Sequence, residues 1–474
     1  MSTHPPDAEP GVRGWLLLVV AVALLHAALF MAHQRPDWSR EDVWSDQEGY
    51  SRLGHVVATT GTFTRYPGEQ PFIPETIRTP GYPVFLAGVY TVLGESHAAV
   101  AAAQAVLFAL EAIAIFFLTL RLASVRVARA AALATAIYPP LPYFAALTLT
   151  ETLTTFFVTI GVWRAVAAAQ DGRRLDFVVA GLAIGAATLT RPTFVLLPFV
   201  LIGAAALAER GRLRAIAPWG FTLTAFAVVL APWLLYTAVY VHRVTLSPAG
   251  GIGRGIWEAS WQGTWPGRVQ AELTTIAQST WYAHASADEV AAEVRRTAAG
   301  RGADADLMVT YVRQWQDVRR IWDTTSGPRE RGQERIAADQ EYLRVGLENI
   351  RRDPVQYLVR RLPYRVFILW AGDIPVRYSL INSLPPLLIR AMWLAQALLV
   401  ALSLWGLLVL VNRGHATAAA IVAGLIGYLT VIHVPLLAES RYTLPAKPIV
   451  LALATIALAE LAHRVLPQTG DYLP

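Results

Sequence analysis

The 474-residue sequence has no cysteine, and among its 40 Lys and Arg residues a single lysine, Lys447. The first absence excludes disulfides, thiolate metal sites and a cysteine nucleophile. Charge is scarce as well: 16% of residues are Asp, Glu, Lys or Arg, against roughly 25% in a soluble domain. The net charge of +6 is scattered over many short loops, whereas a nucleic-acid binder gathers its basic residues on one face. Phosphate-loop, dinucleotide-binding, H-E-x-x-H and G-x-S-x-G motifs are also missing. What is abundant is apolar. With 55% hydrophobic residues and a mean hydropathy of +0.41, the composition is that of an integral membrane protein.

A helix needs about 20 apolar residues to cross a bilayer. After a polar tail, 1–12, the first apolar segment runs from Trp15 to Met31. It is longer than a signal-peptide core and no A-x-A site follows, so it reads as an uncleaved span. Further candidates lie near 98–120, 129–147, 150–169, 176–190, 193–208, 215–241, 386–411, 415–436 and 446–464. The sequence therefore predicts an all-α membrane protein of about ten spans. The apolar piece 83–93 is too short to cross and reads as an interfacial or re-entrant helix.

A cytoplasmic tail makes the cytoplasmic turns Arg-bearing, as the positive-inside rule requires. They then hold Arg121, Arg126 and Arg129; Arg173 and Arg174; Arg210, Arg212 and Arg214; Arg413; and Arg464. The expected organisation is a membrane module over 13–241 with a first outer loop at 33–97. An extracytoplasmic insertion at 242–362 and C-terminal membrane segments at 363–474 follow. In the insertion, the Gly- and Trp-rich run 247–267 reads as loop and turn. Amphipathic helices are expected near 286–299, 303–323 and 334–361, their aromatics packing a core.

Four acids fall on the outer face: Asp46, Glu48, Glu151 and Glu439. A carboxylate at the interface can take a proton from a hydroxyl as the latter attacks. Helix capping competes with that reading for Glu151, which opens a predicted helix. Arg78, Arg191, Arg441 and Lys447 also fall on this face, where basic residues should be rare. Their convergence suits an anion site; snorkelling at helix ends is the plainer alternative. Glu111 stands mid-span, as either a functional acid or a buried hydrogen-bonded partner. The histidines show no metal-ligand spacing, and a divalent metal at Asp46 and Glu48 stays open.

The ordered set of motifs carries a resemblance. It comprises Asp46-Gln47-Glu48-Gly49-Tyr50, Thr60-Gly61-Thr62-Phe63 and Arg78-Thr79-Pro80-Gly81-Tyr82-Pro83, then Leu149-Thr150-Glu151, Thr190-Arg191-Pro192 and Glu439-Ser440-Arg441-Tyr442. In this order the chain resembles the GT-C class of membrane glycosyltransferases. In particular it is similar to bacterial relatives of the protein O-mannosyltransferases and of the lipid A aminoarabinose transferase. The resemblance implies a GT-C fold in the bacterial inner membrane and an extracytoplasmic active site. It also implies inverting transfer of a hexose or pentose from a polyprenyl-phosphate donor to a hydroxyl or amine-type group of a lipid, glycan or protein. Asp46 matches the general base, and Glu151 the second acid, which holds the acceptor or the first loop. Arg78, Arg191, Arg441, Tyr442 and Lys447 fall near the donor phosphate, with Glu48, Tyr50, Tyr82 and Glu439 in support. Two departures stand out: Gln47 where a second acid is usual, and Gly49 where the aminoarabinose transferases carry arginine. A transporter or lipid-linked-sugar flippase, or a non-catalytic scaffold of the same fold, is the alternative.

Overall fold

The computed structural model describes residues 11–33, 46–209, 216–248, 251–299, 304–323, 328–372 and 385–465. Most of the polar tail, loop residues 34–45 and the Arg210, Arg212 and Arg214 cluster lie outside these. Among the described residues all regular structure is helical.

Seven stretches among the described residues are long and apolar enough to cross a membrane. They contain helices α1 (Val12–His33), α4 (His97–Leu120), α7 (Glu151–Asp171), α10 (Gly220–Tyr240), α17 (Pro386–Asn412), α18 (Ala416–His433) and α19 (Lys447–Val465). The other three expected spans are shorter: α5 (Val125–Ile137), α8 (Arg174–Thr190) and α9 (Leu197–Ala208). Proline shortens two of them. The segment expected at 129–147 stops at Ile137, because Pro139, Pro140 and Pro142 cannot extend it, and resumes as the one-turn α6 (Pro140–Ala145). Pro192 likewise confines its stretch to a 3₁₀ turn, Pro192–Phe194, before α9 begins. The helices α4, α7 and α19 are the most buried, whereas α1 shows most of its surface to the outside. Alanines 165, 180, 187 and 205 are fully or nearly fully buried in the main core, where small side chains let apolar helices approach closely.

The first loop folds onto this bundle as two helices, α2 (Asp46–Thr60) and α3 (Gly81–Leu93). They touch backbone to side chain, for a Cβ on Gly54 would lie 2.6 Å from Leu86 Cβ. Gly81 in turn sits against the backbone of Leu189 and Thr190, seating the start of α3 on the end of α8. The apolar 83–93 piece is thus part of a helix packed on the bundle.

The insertion has its own core, built from Trp257, Trp261, Leu273, Val290, Val294, Met308, Tyr311, Val312 and Val318. Its helices α13 (Ala287–Ala298), α14 (Ala305–Asp323) and α15 (Pro328–Arg352) fall close to the amphipathic stretches expected, and α15 ends before Pro354. The run read as loop and turn is instead largely helical, forming α11 (Ile252–Trp261) and the start of α12 (Gly267–Tyr282). Its Gly253 serves close packing, since a Cβ there would strike the Asp339 carbonyl, and on the facing helix α15 a Cβ on Gly346 would lie 2.8 Å from Trp257 N. The indoles of Trp257 and Trp261 both donate to Gln314 Oε1, at 2.9 and 3.0 Å. Their role is structural. A wider-turned helical stretch, Gln356–Arg361, then leads into α16 (Leu362–Phe367) and a second such stretch, Ile368–Gly372.

Candidate active site

Asp46 is the first residue of α2, with its side chain half exposed. Its Oδ1 accepts from Arg78 Nη2 at 3.2 Å across the Pro-rich turn that precedes α3. Beneath them the Arg78 guanidinium lies 3.8 Å from the ring centroid of Tyr50, one turn along α2, and Tyr50 meets Tyr82 edge to face at 5.1 Å. Arg78 reaches this place because Gly49 leaves room for it. Burial raises the Tyr50 phenol above its ordinary value, against the pull of Arg78, so Tyr50 remains a neutral donor. For Arg78 burial opposes the cation, but Tyr50 and Asp46 outweigh it and its pKa is raised.

Glu75 holds this turn. Only 2% exposed, it pairs with Arg65 at 2.5 Å through Oε2. Its Oε1 accepts the backbone N–H groups of Ile77 and Arg78 at 2.7 and 3.1 Å. The sequence reading passed over Glu75; an acid three residues before an arginine in a Pro-flanked turn was the available signal. Gln104 was missed for a similar reason. A lone glutamine in an apolar helix, it accepts from Tyr82 Oη at 3.0 Å and donates to the carbonyls of Ala145 and Leu147. Gln47, where relatives carry an acid, instead accepts from the Thr148 N–H at 3.0 Å and ties α2 to the loop before α7.

Glu151 opens α7, almost completely buried, between two guanidiniums: Arg191 at 3.6 Å and Arg441 at 3.8 Å. The ion pairs, together with its place in the first helical turn, make it both a pairing acid and a helix-start acid. Arg441 is also paired with Glu439. Tyr442 packs beneath both arginines, 5.2 Å from Arg191 and 5.3 Å from Arg441, and stacks on His433 at 4.7 Å. The two halves are within electrostatic reach of each other, since Arg191 acts on Tyr50 and Asp46 acts on Arg441. They also touch: Thr79 Oγ1 donates to the Thr190 carbonyl at 3.3 Å. One donor within this cluster, Arg78 Nε, is buried with no acceptor, and the buried Arg191 Nη1 has Glu151 Oε1 only at ion-pair distance, 3.6 Å.

From the loop ahead of α19 a further tie runs to the insertion. Gln262 Nε2 donates to the Ala438 carbonyl at 2.6 Å, and the Ala438 N–H donates to Gln262 Oε1 at 3.0 Å.

Lys447 faces different company. Only 1% exposed, it donates to Gln396 Oε1 at 3.1 Å and lies 5.6 Å from the Trp370 ring. Glu48 is half buried in the first turn of α2. Glu111 is buried in α4 with its Oε1 lacking an acceptor or donor partner. Among the described residues no group of three or more His, Asp or Glu side chains is placed to hold a metal ion; Asp37, Glu41 and Asp42 lie outside them.

Comparison with known proteins agrees with this architecture. The archaeal oligosaccharyltransferase AglB from Archaeoglobus fulgidus, solved with an inhibitory peptide and a dolichol-phosphate, aligns over 98% of this chain and 53% of its own. Identity is 13% and the TM-score 0.52. The same enzyme tethered to an acceptor peptide aligns over 96% of this chain and 50% of its own, at 12% identity and a TM-score of 0.51. ArnT from Cupriavidus metallidurans bound to undecaprenyl phosphate aligns over 98% and 82%, at 16% identity and a TM-score of 0.40. The chain thus spans about half the length of the oligosaccharyltransferase it matches. No curated protein sequence matches it. The chain shares the fold of this GT-C glycosyltransferase. Its residues 77–236, from the Arg78 turn into the last part of α10, match the family described as dolichyl-phosphate-mannose-protein mannosyltransferase.

Proposed function

We propose that the protein transfers a sugar from a polyprenyl-phosphate donor to a nucleophilic group of an acceptor, with inversion, at the extracytoplasmic face of a bacterial inner membrane. The observation that carries this reading is the pairing of a half-exposed carboxylate, Asp46, with the buried guanidinium of Arg78, whose Nε has no acceptor. The dolichol-phosphate and peptide bound by the structurally similar AglB supply the classes of donor and acceptor.

A lipid-linked sugar reaches such a site through the bilayer, its polar head at the interface. Asp46 accepts the acceptor's proton as the acceptor oxygen or nitrogen bonds to the anomeric carbon. The bond from that carbon to the phosphate oxygen breaks in the same displacement, so the configuration inverts. The leaving phosphate gains negative charge, and fixed guanidiniums stabilise that charge more in the transition state than in the ground state. Arg78 has an unused donor to do so, Arg191 Nη1 is engaged only in its 3.6 Å ion pair with Glu151, and planar forks suit phosphate. Glu151 holds Arg191 and Arg441 in register, while Tyr442 floors both and Glu439 anchors Arg441. Tyr50 and Tyr82 support Arg78, with Glu48 beside them on α2. Lys447, enclosed by Gln396 and Trp370, acts at most through packing.

The test is direct. Purified protein is given a polyprenyl-phosphate hexose or pentose together with a peptide, glycan or lipid acceptor, and acceptor-dependent release of polyprenyl phosphate is measured. Asp46→Asn should abolish release while donor binding persists; near-normal turnover in that variant removes Asp46 as the base.

A further inference from the structure

Arg361 and Arg365 stand one helical turn apart where the insertion returns to the bundle, on the same face of the wide-turned stretch and of α16. They are 8% and 0% exposed. Among the described residues, no carboxylate lies within ion-pair distance of either. What they have instead is the end of α11. Arg365 Nη1 donates to the Ala259 carbonyl at 2.5 Å, and Arg361 Nη1 to the Ser260 carbonyl. Arg361 Nη2 also donates to Gln356 Oε1 at 3.2 Å, and the Arg365 guanidinium lies 4.4 Å from the Tyr357 ring.

Capping the C-terminal carbonyls of a helix is a sound use for cations, but it offsets about half a charge. Here two full charges are buried. Each guanidinium carries five donors, and Arg361 Nε, Arg365 Nε and Arg365 Nη2 are buried without an acceptor. Such groups cost free energy unless a partner takes them. Burial pulls both arginines below their ordinary pKa, and the opposing pull of Asp353 on Arg361 and of Tyr357 on both does not make it up.

The exposed face of the same segment is largely apolar, with Val355, Leu358, Val359, Val366 and Phe367 standing out beside the exposed Arg360. An anion arriving here would be flanked by a surface fit for acyl chains. The π-helical widening at Gln356–Arg361 is itself a local distortion of a kind often found at binding sites.

We propose that Arg361 and Arg365 form a second anion site that takes the phosphate of a membrane-lipid headgroup, apart from the Arg78, Arg191 and Arg441 cluster. Two forked cations suit a phosphate's several oxygens, and the apolar outer face selects a phosphate that comes attached to acyl chains over a free one. The α11 end and the Tyr357 ring hold the forks in place. Tyr357 Oη also donates to the Pro435 carbonyl at 2.9 Å, so the site abuts the loop ahead of α19.

Native mass spectrometry of the full chain in detergent tests this without any turnover, so failure here is separable from failure of the transfer reading. The wild-type protein should retain phosphatidylglycerol and release diacylglycerol with the same chains; equal retention of the two overturns the proposal. Millimolar inorganic phosphate should leave the bound lipid in place. Displacement by it would mean that a free phosphate is the ligand, and would overturn the lipid assignment. Arg361→Gln with Arg365→Gln should weaken retention about tenfold or more, the scale of losing one charge-assisted hydrogen bond. Arg78→Gln should leave it unchanged. Unaltered retention in the double variant, or loss confined to Arg78→Gln, would place the lipid elsewhere. If the glutamine pair does not fold, Arg361→Lys with Arg365→Lys keeps the charges and removes the forks; retention should fall, and retention equal to wild type counts against the site.

Discussion

Gly49 faces the guanidinium of Arg78, and a Cβ added to it would lie 2.7 Å from Nη2. The obstacle is the mobile end of a side chain and not backbone, so Gly49→Ala should leave the protein stable while pushing Arg78 off Asp46 and Tyr50. The expected result is an unchanged thermal unfolding midpoint with kcat/KM reduced about tenfold, one misplaced charge-assisted hydrogen bond at the reaction centre. A variant with full activity would show that the Asp46–Arg78 contact is dispensable.

Glu151 is held by two cations, so removing both should hurt more than the sum of removing each. Arg191→Gln combined with Arg441→Gln leaves a buried carboxylate without either guanidinium, a situation that costs about 3–5 kcal/mol. Adding Glu151→Gln should restore much of that stability and none of the transfer. Unfolding midpoints of the single, double and triple variants, measured in one detergent, decide the point; a triple variant no more stable than the double contradicts it.

Tyr50 offers its ring face to Arg78 and, being buried, keeps its phenol protonated well into alkaline solution. Tyr50→Phe preserves the face and should retain most activity; Tyr50→Leu removes it and should lose about 0.5–2 kcal/mol of transition-state stabilisation. Because the folded pKa is raised, deprotonation of Tyr50 cannot produce an alkaline fall in rate near its ordinary value of 10. The alkaline limb of the pH–rate profile should therefore be the same in wild type and Tyr50→Phe. A limb that vanishes in the Phe variant assigns the titration to Tyr50.

Glu75 acts on Arg78 through the backbone, so its loss should appear as misplacement. Glu75→Gln keeps one carbonyl acceptor but gives up the charge that binds Arg65. Transfer should drop several-fold with donor affinity little changed, and Glu75→Ala should lower both transfer and stability. Identical kinetics for Glu75→Ala and wild type would remove it from the positioning of Arg78.

The absence of cysteine makes the sidedness of the proposed site testable. Thr150 and Ser440, close to the acids, are both buried and make poor reporters. Glu69 in the first loop and Asn412 at the end of α17 are exposed. Glu69→Cys should react with a membrane-impermeant maleimide in intact cells, and Asn412→Cys only after permeabilisation. The reverse pattern would turn the protein over in the membrane.

The long helices were legible because an apolar run of bilayer length allows little else, and the amphipathic helices of the insertion because their spacing repeats. Where the reading went astray, one residue type had two uses. The glycines of 247–267 look like turn formers, yet Gly253 is small so that α11 can lie on α15. The same ambiguity hid the meaning of Gly49, noted only as a missing arginine, whose emptiness admits an arginine from elsewhere in the chain. The acids and bases of the candidate site were visible as exceptions to charge rules. Their pairing was not, because Glu151, Arg191 and Arg441 meet only through the packing of helices distant in sequence. Lys447 was grouped with them by its place along the chain, and its described partners, Gln396 and Trp370, come from helices that position alone does not connect to it.

The two hydrogen bonds exchanged between Gln262 and Ala438 make the side-chain amide mimic a short stretch of strand pairing, with the loop carrying Glu439 and Arg441 as its other edge. The insertion is therefore fastened to the loop that carries two charged residues of the candidate site. Excising 242–362 and splicing the bundle closed would leave every charged residue of the candidate site in the chain and yet unfasten two of them. A minimal version of this protein must keep that amide.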